Sequence, residues 1–408
     1  MDDRIECYRL YLAGFTLWAT GGREIAIPLI ESAYRKAEKN QVLEIIYLAL
    51  DKLTYYYGNI NSNRKKYIQY ATQKAHFDWI QQCHTITERM YRHQNLLPNL
   101  RIPSLSVEEL GEGITRVENL RGDEELPPMT EFMLLKLKLD LKIAVGQSST
   151  AEIESIFEPQ EIFLSKNPTV HRLFLQHIFA VYLLTGNSKG TLKTLTRLSE
   201  LTKVDAKNHQ WVNLKTLEFY HNVHNLQYDL ARDCVDEILN SRSLENTPED
   251  HLERLLLGQM LLSFIGSTER HLGLVTHWKL RLSKFINEMR KVSQDKAGNN
   301  VLIYIVEVFW HVTRRRYGKA DERLEALSRY LSRHGIKQSL PRLYYFSRML
   351  TVASEANYHK AATIRKNKNN LQRLIAAKPN KMNFYSIEII PMEELWDAFL
   401  EKMEAKMN

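Results

Sequence analysis

Residues 209–240 read HQWVNLKTLEFYHNVHNLQYDLARDCVDEILN. Trp211, Leu214, Leu217 and Tyr220 recur every third residue, and Leu230, Cys234 and Ile238 every fourth. Each set lines one face of a helix with 3.6 residues per turn, so the stretch reads as a pair of amphipathic helices joined by a turn. The second helix opens on Tyr228-Asp-Leu-Ala231 and continues through Val235 and Ile238. The small alanine lets it approach the first helix closely, while the tyrosine plugs the turn.

The same unit recurs further along. Tyr317-Gly-Lys-Ala320 is followed by Leu324, Leu327 and Leu331, and Tyr358-His-Lys-Ala361 by Ile364. Working outward, the periodicity predicts pairs at 3–20 with 22–39, 41–58 with 62–93, 130–145 with 149–157, and 168–185 with 188–203. Beyond 209–240 it predicts 248–265 with 272–294, 299–316 with 319–334, 340–356 with 358–377, and a last helix over 391–406. Asn167-Pro168 and Thr247-Pro248 place a capping residue before proline at the first helical position, and Ser149 to Glu152 has capping-box spacing. Only Phe384–Ile390, ahead of Pro391, reads as a strand, and an extended linker explains it equally well. Glycine (16) and proline (11) are scarce, against roughly 29 and 20 for average usage at this length. Much of that punctuation falls in 95–128, which predicts an irregular connection, with a short helix near 106–119, between N-terminal repeats (1–94) and a larger C-terminal array (129–408).

In the first pair, Gly14, Ala26 and Ala33 are spaced by twelve and seven, with Leu10, Leu17 and Ile30 as the large apolar partners. This pattern resembles tetratricopeptide-like repeats, whose small residues fall at those intervals within a 34-residue helix pair. Glu38 stands where that family often has proline, and 41–93 does not keep the register. The resemblance extends to about four pairs, and the whole chain is similar to long bacterial helical-repeat proteins without assigned activity. It implies an all-α, right-handed solenoid of antiparallel pairs whose first helices line a groove for a peptide or helix.

Composition is that of a globular chain: 408 residues, 44% hydrophobic and 25% charged. Cys7, Cys83 and Cys234 form neither a disulfide framework nor a metal-binding spacing, so the expectation is a reducing, cytoplasmic compartment. The polar start Met1–Glu6 is no secretory signal. The longest charge-free apolar stretches, Leu173–Ser188 and Leu255–Thr268, fall short of a membrane span and read as buried helices.

The residue patterns argue against catalysis, and no cofactor or metal is expected. His221 and His224 share a helix face, but a metal site needs a third ligand, and Glu218 completes no zinc-helix motif. Gly111-Glu-Gly113 lacks the lysine and the strand–helix context of a phosphate loop. Cys83 and His84, adjacent on a helix, point about 100° apart and do not suit a nucleophile–base pair. Tyr55-Tyr56-Tyr57 and Tyr344-Tyr345-Phe346 read as helix packing before they read as a ligand groove.

One feature stands above background. Residues 301–380 hold 16 Lys/Arg against 5 Asp/Glu, so +11, which leaves −3 for the rest of a chain of net charge +8. Arg314, Arg315, Arg316 and Lys319 mark a helix-pair turn, and Arg342, Arg348, Arg365, Lys366 and Lys368 follow on the next pair. Helix-dipole complementation and a solvated face account for such charge. Otherwise it is a contact surface, for an acidic protein or peptide before nucleic acid, because no nucleic-acid-binding motif accompanies it. The functional expectation is a non-enzymatic protein–protein interaction scaffold, with a nucleic-acid-associated protein as the alternative.

Overall fold

The structure is a computed structural model, and its described residues are 3–95, 105–145, 151, 154–155, 161, 164–165, 167–202, 209–242, 247, 249–271, 274, 278, 281–292, 299–334, 337, 340–377 and 388–404. Ser149, Glu152, Pro248, residues 384–387 and most of the helix expected over 149–157 lie outside them. The fold is all-α, and no strand occurs among the described residues; Glu388–Ile390 are not extended into one.

By contacts the chain divides into two units. The first comprises Met1–Gln94 with Leu105–Lys138, and the second runs on from Leu139. The first contains α1 (Asp3–Ala19), α2 (Arg23–Asn40), α3 (Leu43–Tyr55), a π turn (Tyr56–Ile60), α4 (Arg64–Asn95) and α5 (Val107–Arg121). Helix α6 (Pro128–Ala144) carries the division within it. The second contains α7 (Pro168–Leu184), α8 (Ser188–Leu201), α9 (His209–His224), α10 (Tyr228–Leu239), α11 (Glu249–Ile265) and α12 (Leu282–Val292). It continues with α13 (Asn299–Thr313), α14 (Tyr317–His334), α15 (Pro341–Glu355), α16 (Lys360–Ala376) and α17 (Met392–Glu404). In the first unit α1 packs on α2 and α2 on α3, and in the second each helix from α7 to α17 packs on its neighbour in sequence. The helix expected over 272–294 begins only at Leu282, and the one expected near 106–119 spans Val107–Arg121 behind a capping box in which Ser106 and Glu109 cap each other.

A single turn geometry explains the pairing. Between α1 and α2 the N–H of Gly22 donates to Leu17 O at 2.9 Å, six residues closing a ring at the helix end. Asn187 to Tyr182 O (2.8 Å), Gln227 to Asn222 O (2.8 Å) and Arg316 to His311 O (2.9 Å) repeat it. The residue before each donor is left-handed: Gly21, Gly186, Leu226 and Arg315. Four residues after the donor comes Ala26, Thr191, Ala231 or Ala320, each 0% exposed against the partner helix. Gly14 shows how close α1 and α2 lie, since a Cβ there would stand 2.8 Å from Ile30 Cγ1.

The third Tyr-x-x-Ala motif departs from this register. Tyr358 donates to Ala353 O at 2.8 Å as the turn requires, but Asn357 and Tyr358 are both left-handed, and His359 is inserted as the N-cap. Tyr358 thus takes the ring-closing place held elsewhere by Gln227 and Arg316, and with His359 inserted the close-approach position falls five residues after the tyrosine instead of three, at Thr363, which is fully buried. Ala361 and Ile364 face outward, which corrects the expectation for that pair. Tyr358 still plugs the turn, stacked on Tyr317 with centroids 4.6 Å apart and donating to Asp321 Oδ1 at 2.6 Å.

Both long apolar stretches lie in or around buried helices, α7 and α11. No helix among the described residues is long and apolar enough to cross a membrane.

Candidate interaction surface

The arginine triplet is a turn, not a helix face. Arg314 follows the last residue of α13, Arg315 is left-handed with φ 58°, and Arg316 closes the ring to His311 O. All three, with Lys319, are exposed. The dipole of α13 favours Arg314, but Arg316 and Lys319 sit at the positive end of α14, where it opposes them. The local field is correspondingly positive. His311 is pushed below the ordinary histidine range by burial, then by Lys319, Arg323, Arg316 and Arg314.

The eight candidate cations do not act alike. Arg342 is committed internally: its guanidinium donates to Glu388 Oε2 (3.1 Å) and Oε1 (2.5 Å), to Glu393 (2.7 and 2.9 Å) and to Leu374 O (2.9 Å). It is a structural clamp, and the sequence assignment of it to a partner surface is corrected accordingly. Arg348 is half-buried on α15, whereas Arg365 and Lys366, with Lys368, are exposed on α16.

The clamp holds α17 against the second unit. Helix α17 packs on α11, α13 and α15, the first helices of three successive pairs, and on α16. Phe399, fully buried, lies 5.5 Å from Phe309, which in turn meets Phe264 at 4.1 Å and Phe346 at 6.2 Å. The approach to α17 is equally enclosed. Ile389 and Ile390 are buried, Ile389 abuts Gly258, and His224 Nε2 donates to Glu388 O at 2.9 Å. Because a carbonyl only accepts, Nε2 carries the hydrogen, and burial lowers the pKa of this neutral imidazole. Lys402 reaches Ser267 O, and Glu401 caps Glu269 N. The occupant of these first-helix faces is thus an acidic amphipathic helix, with Glu393, Glu394, Asp397 and Glu401 around an apolar spine.

The first unit presents such a face uncovered. On α1, Ile5, Tyr8, Leu12 and Phe15 are exposed at helical spacing, opposite the buried Cys7, Tyr11 and Gly14. The stripe continues onto α3: Phe15 lies 5.9 Å from the Lys52 ammonium, Trp18 lies 6.2 Å from Tyr55, and Leu48 and Tyr55 are exposed. A helix apolar on all sides needs cover on all sides.

A cleft opens beside the arginine turn. It holds about 230 Å³ between α11 and α13 and is lined by Met260, Phe264, Trp278, Trp310 and Arg314 among others. The Arg314 guanidinium lies 3.3 Å from the Trp310 ring centroid. The indole N–H of Trp278 is fixed by Asp236 Oδ1 at 2.7 Å.

The histidine and cysteine pairs singled out in the sequence are held in packing contacts. His221 Nδ1 bonds Thr191 Oγ1 at 2.8 Å while His224 points to Glu388. Cys83 faces Val117 O and His84 faces Thr130, so the adjacent pair diverges. Burial raises all three thiols, Cys234 to about 12, which disfavours the thiolate. A further polar cluster is one that sequence reading missed. Glu31 Oε1 accepts from Tyr57 (2.8 Å), Lys66 (3.0 Å) and Tyr70 (3.0 Å), knotting α2, the π turn and α4. Within Tyr55-Tyr56-Tyr57 the last two are buried there, so packing accounts for them. No signal short of the fold links Glu31 to residues 26 to 39 positions away.

No protein-family model, curated protein or solved structure matches the chain.

Proposed function

We propose that this chain is a non-enzymatic, cytoplasmic helical-repeat scaffold, a right-handed solenoid of the tetratricopeptide-like kind, that receives an amphipathic helix of a protein partner on its first-helix faces. The observation that supports it is α17 itself, an acidic amphipathic helix held against three successive first helices. A surface that seats one such helix in cis has the chemistry to seat another in trans. The face available for this is the stripe of Ile5, Tyr8, Leu12, Phe15, Leu48 and Tyr55. No cofactor is required.

The test is a photo-cross-linker placed at Leu12 in the full chain, compared with one at the exposed Ile375 on α16. The expected result is a discrete adduct from Leu12 alone, with the captured segment an amphipathic helix. Identical adducts from both positions, or none from Leu12, would overturn the reading. A second reading, nucleic-acid association, is favoured by the exposed Arg314–Arg316 turn and Lys319. It requires retention that collapses between roughly 50 and 200 mM salt, whereas an apolar stripe holds its partner across that range.

A further inference from the structure

We infer that the cleft between α11 and α13 is a binding site for an organic anion with a flat apolar body, the body held between Trp278 and Trp310 and the anionic group by Arg314. This goes beyond the helix-receiving reading and does not depend on it. Three observations converge. The cleft, about 230 Å³, is smaller than drug-sized pockets of roughly 300–1,000 Å³, so it suits a body of one or two rings. Two of its walls are indoles, and one of them is locked in orientation through Trp278 Nε1 and Asp236. Flat apolar ligands gain from such faces by offset stacking.

The rim then selects charge. The Arg314 guanidinium carbon sits 3.3 Å from the Trp310 ring centroid, so the ring covers one face of the cation at an otherwise exposed residue. Among the described residues it has no carboxylate partner. Arg316 adds positive charge beside it, with Arg315 and Lys319 on the same turn, and the Lys402 ammonium, which faces Glu401 and Glu269, reaches the carbonyl of the lining residue Ser267. Asp236 accepts the Trp278 N–H, and Glu401 and Glu269 stand beside Lys402 at the Ser267 end of the cleft, away from the Arg314 side chain's Trp310 face. A carboxylate, sulfonate or phosphate beside Arg314 meets a cationic donor, while a neutral ligand forgoes that charge-assisted bond.

The shared chemistry, a ring system beside an anionic group, is found in free aromatic acids and in acidic peptides that carry an aromatic side chain. The experiment uses the full chain and two fluorescent two-ring probes of one shape, 1-naphthalenesulfonate and its uncharged analogue 1-naphthalenesulfonamide. The sulfonate is expected to bind at one site with an affinity that falls as salt rises. Arg314→Gln, at an exposed position, should weaken it about tenfold or more, the effect of losing one charge-assisted bond. Arg314→Lys should restore part of that loss, and the neutral probe should ignore both changes. Competition then separates the sources. Displacement by 1-naphthoate marks a free-acid site, displacement by a blocked Glu-Trp-Glu tripeptide marks a peptide site, and displacement by neither overturns the inference. Equal sulfonate binding by the parent chain and Arg314→Gln overturns it as well, since the probe would then be reading apolar surface elsewhere, such as the α1 stripe.

Discussion

The first helices of the two units are built alike and finished differently. In the second unit, Phe309 and Phe346 are buried because Phe399 of α17 lies among them. In the first, Leu12 and Phe15 occupy a comparable apolar face and stay exposed. Apolar character along a first helix therefore does not distinguish core from docking surface. The distinction is made by a segment 90 residues away in sequence, joined to the face by the Arg342 clamp. The buried face of α13 is core because α17 packs on it.

The largest effect that could break this contrast comes from truncating the two phenylalanines. Phe399→Ala should cost about 3–5 kcal/mol in chemical denaturation, the usual penalty for emptying a buried aromatic site. Phe15→Ala should stay within about 0.5 kcal/mol, as exposed substitutions do. Equal costs would mean that the α1 stripe is covered in solution, by a second copy or by chain outside the described residues.

Overpacking sharpens the comparison at the level of the repeat. Ala231→Leu should destabilise by about 1–3 kcal/mol, because the position is closed by α9. Ala361→Leu should be close to neutral, because that alanine faces solvent. A large effect at Ala361 would restore the register that the motif alone suggests.

That pair of alanines shows where sequence reading reaches its limit. Helix periodicity, the pairs and the small-residue contacts of Gly14, Ala26, Ala231 and Ala320 were legible, because each depends on spacing within some 40 residues. The third motif misled because Tyr358 is itself the ring-closing donor and His359 is inserted after it, which moves the close-approach position two residues on, about 200° around the helix, without changing composition. Arg342 read as a surface cation because its partners, Glu388 and Glu393, lie on the far side of α16 in sequence. The exposed Arg314–Arg316 turn was legible as charge, but the cleft beside it was not, since Trp278 and Trp310 share no local pattern.

The Glu31 knot is a charged cross-link in the first unit that should show in the pH dependence of stability. Burial alone would raise the Glu31 pKa, but bonds from Lys66, Tyr57 and Tyr70 outweigh it, and the folded value lies below the ordinary 4.5. A depressed carboxylate contributes stability that is complete above its unfolded pKa and is lost as pH falls through the folded one. Glu31→Gln should therefore cost about 1–2 kcal/mol at neutral pH. The parent and variant curves should converge in acid below pH 4.5. Curves that stay parallel would show that the carboxylate is not ionised in the knot.

The smallest effect concerns the turns, where the units again differ. The α1–α2 turn places Gly21 at φ 93°, whereas the α9–α10 turn places Leu226 at φ 59°. A side chain in the left-handed region costs roughly 1–2 kcal/mol by crowding its own carbonyl. Leu226 is 52% exposed, so little packing offsets that strain. Leu226→Gly should relieve it. The greater freedom of glycine in the unfolded chain takes back about 0.5–1 kcal/mol, so the net gain should be at most about 1 kcal/mol. Gly21→Ala should do the reverse, destabilising by about 1 kcal/mol even though a Cβ there meets nothing within 4 Å, because the penalty lies in the backbone and not in contacts. Thermal melts of the two single variants should thus move in opposite directions. If Leu226→Gly instead melts lower, the leucine is held by a contact outside the turn, and the second unit keeps it there for a reason the first unit does not share.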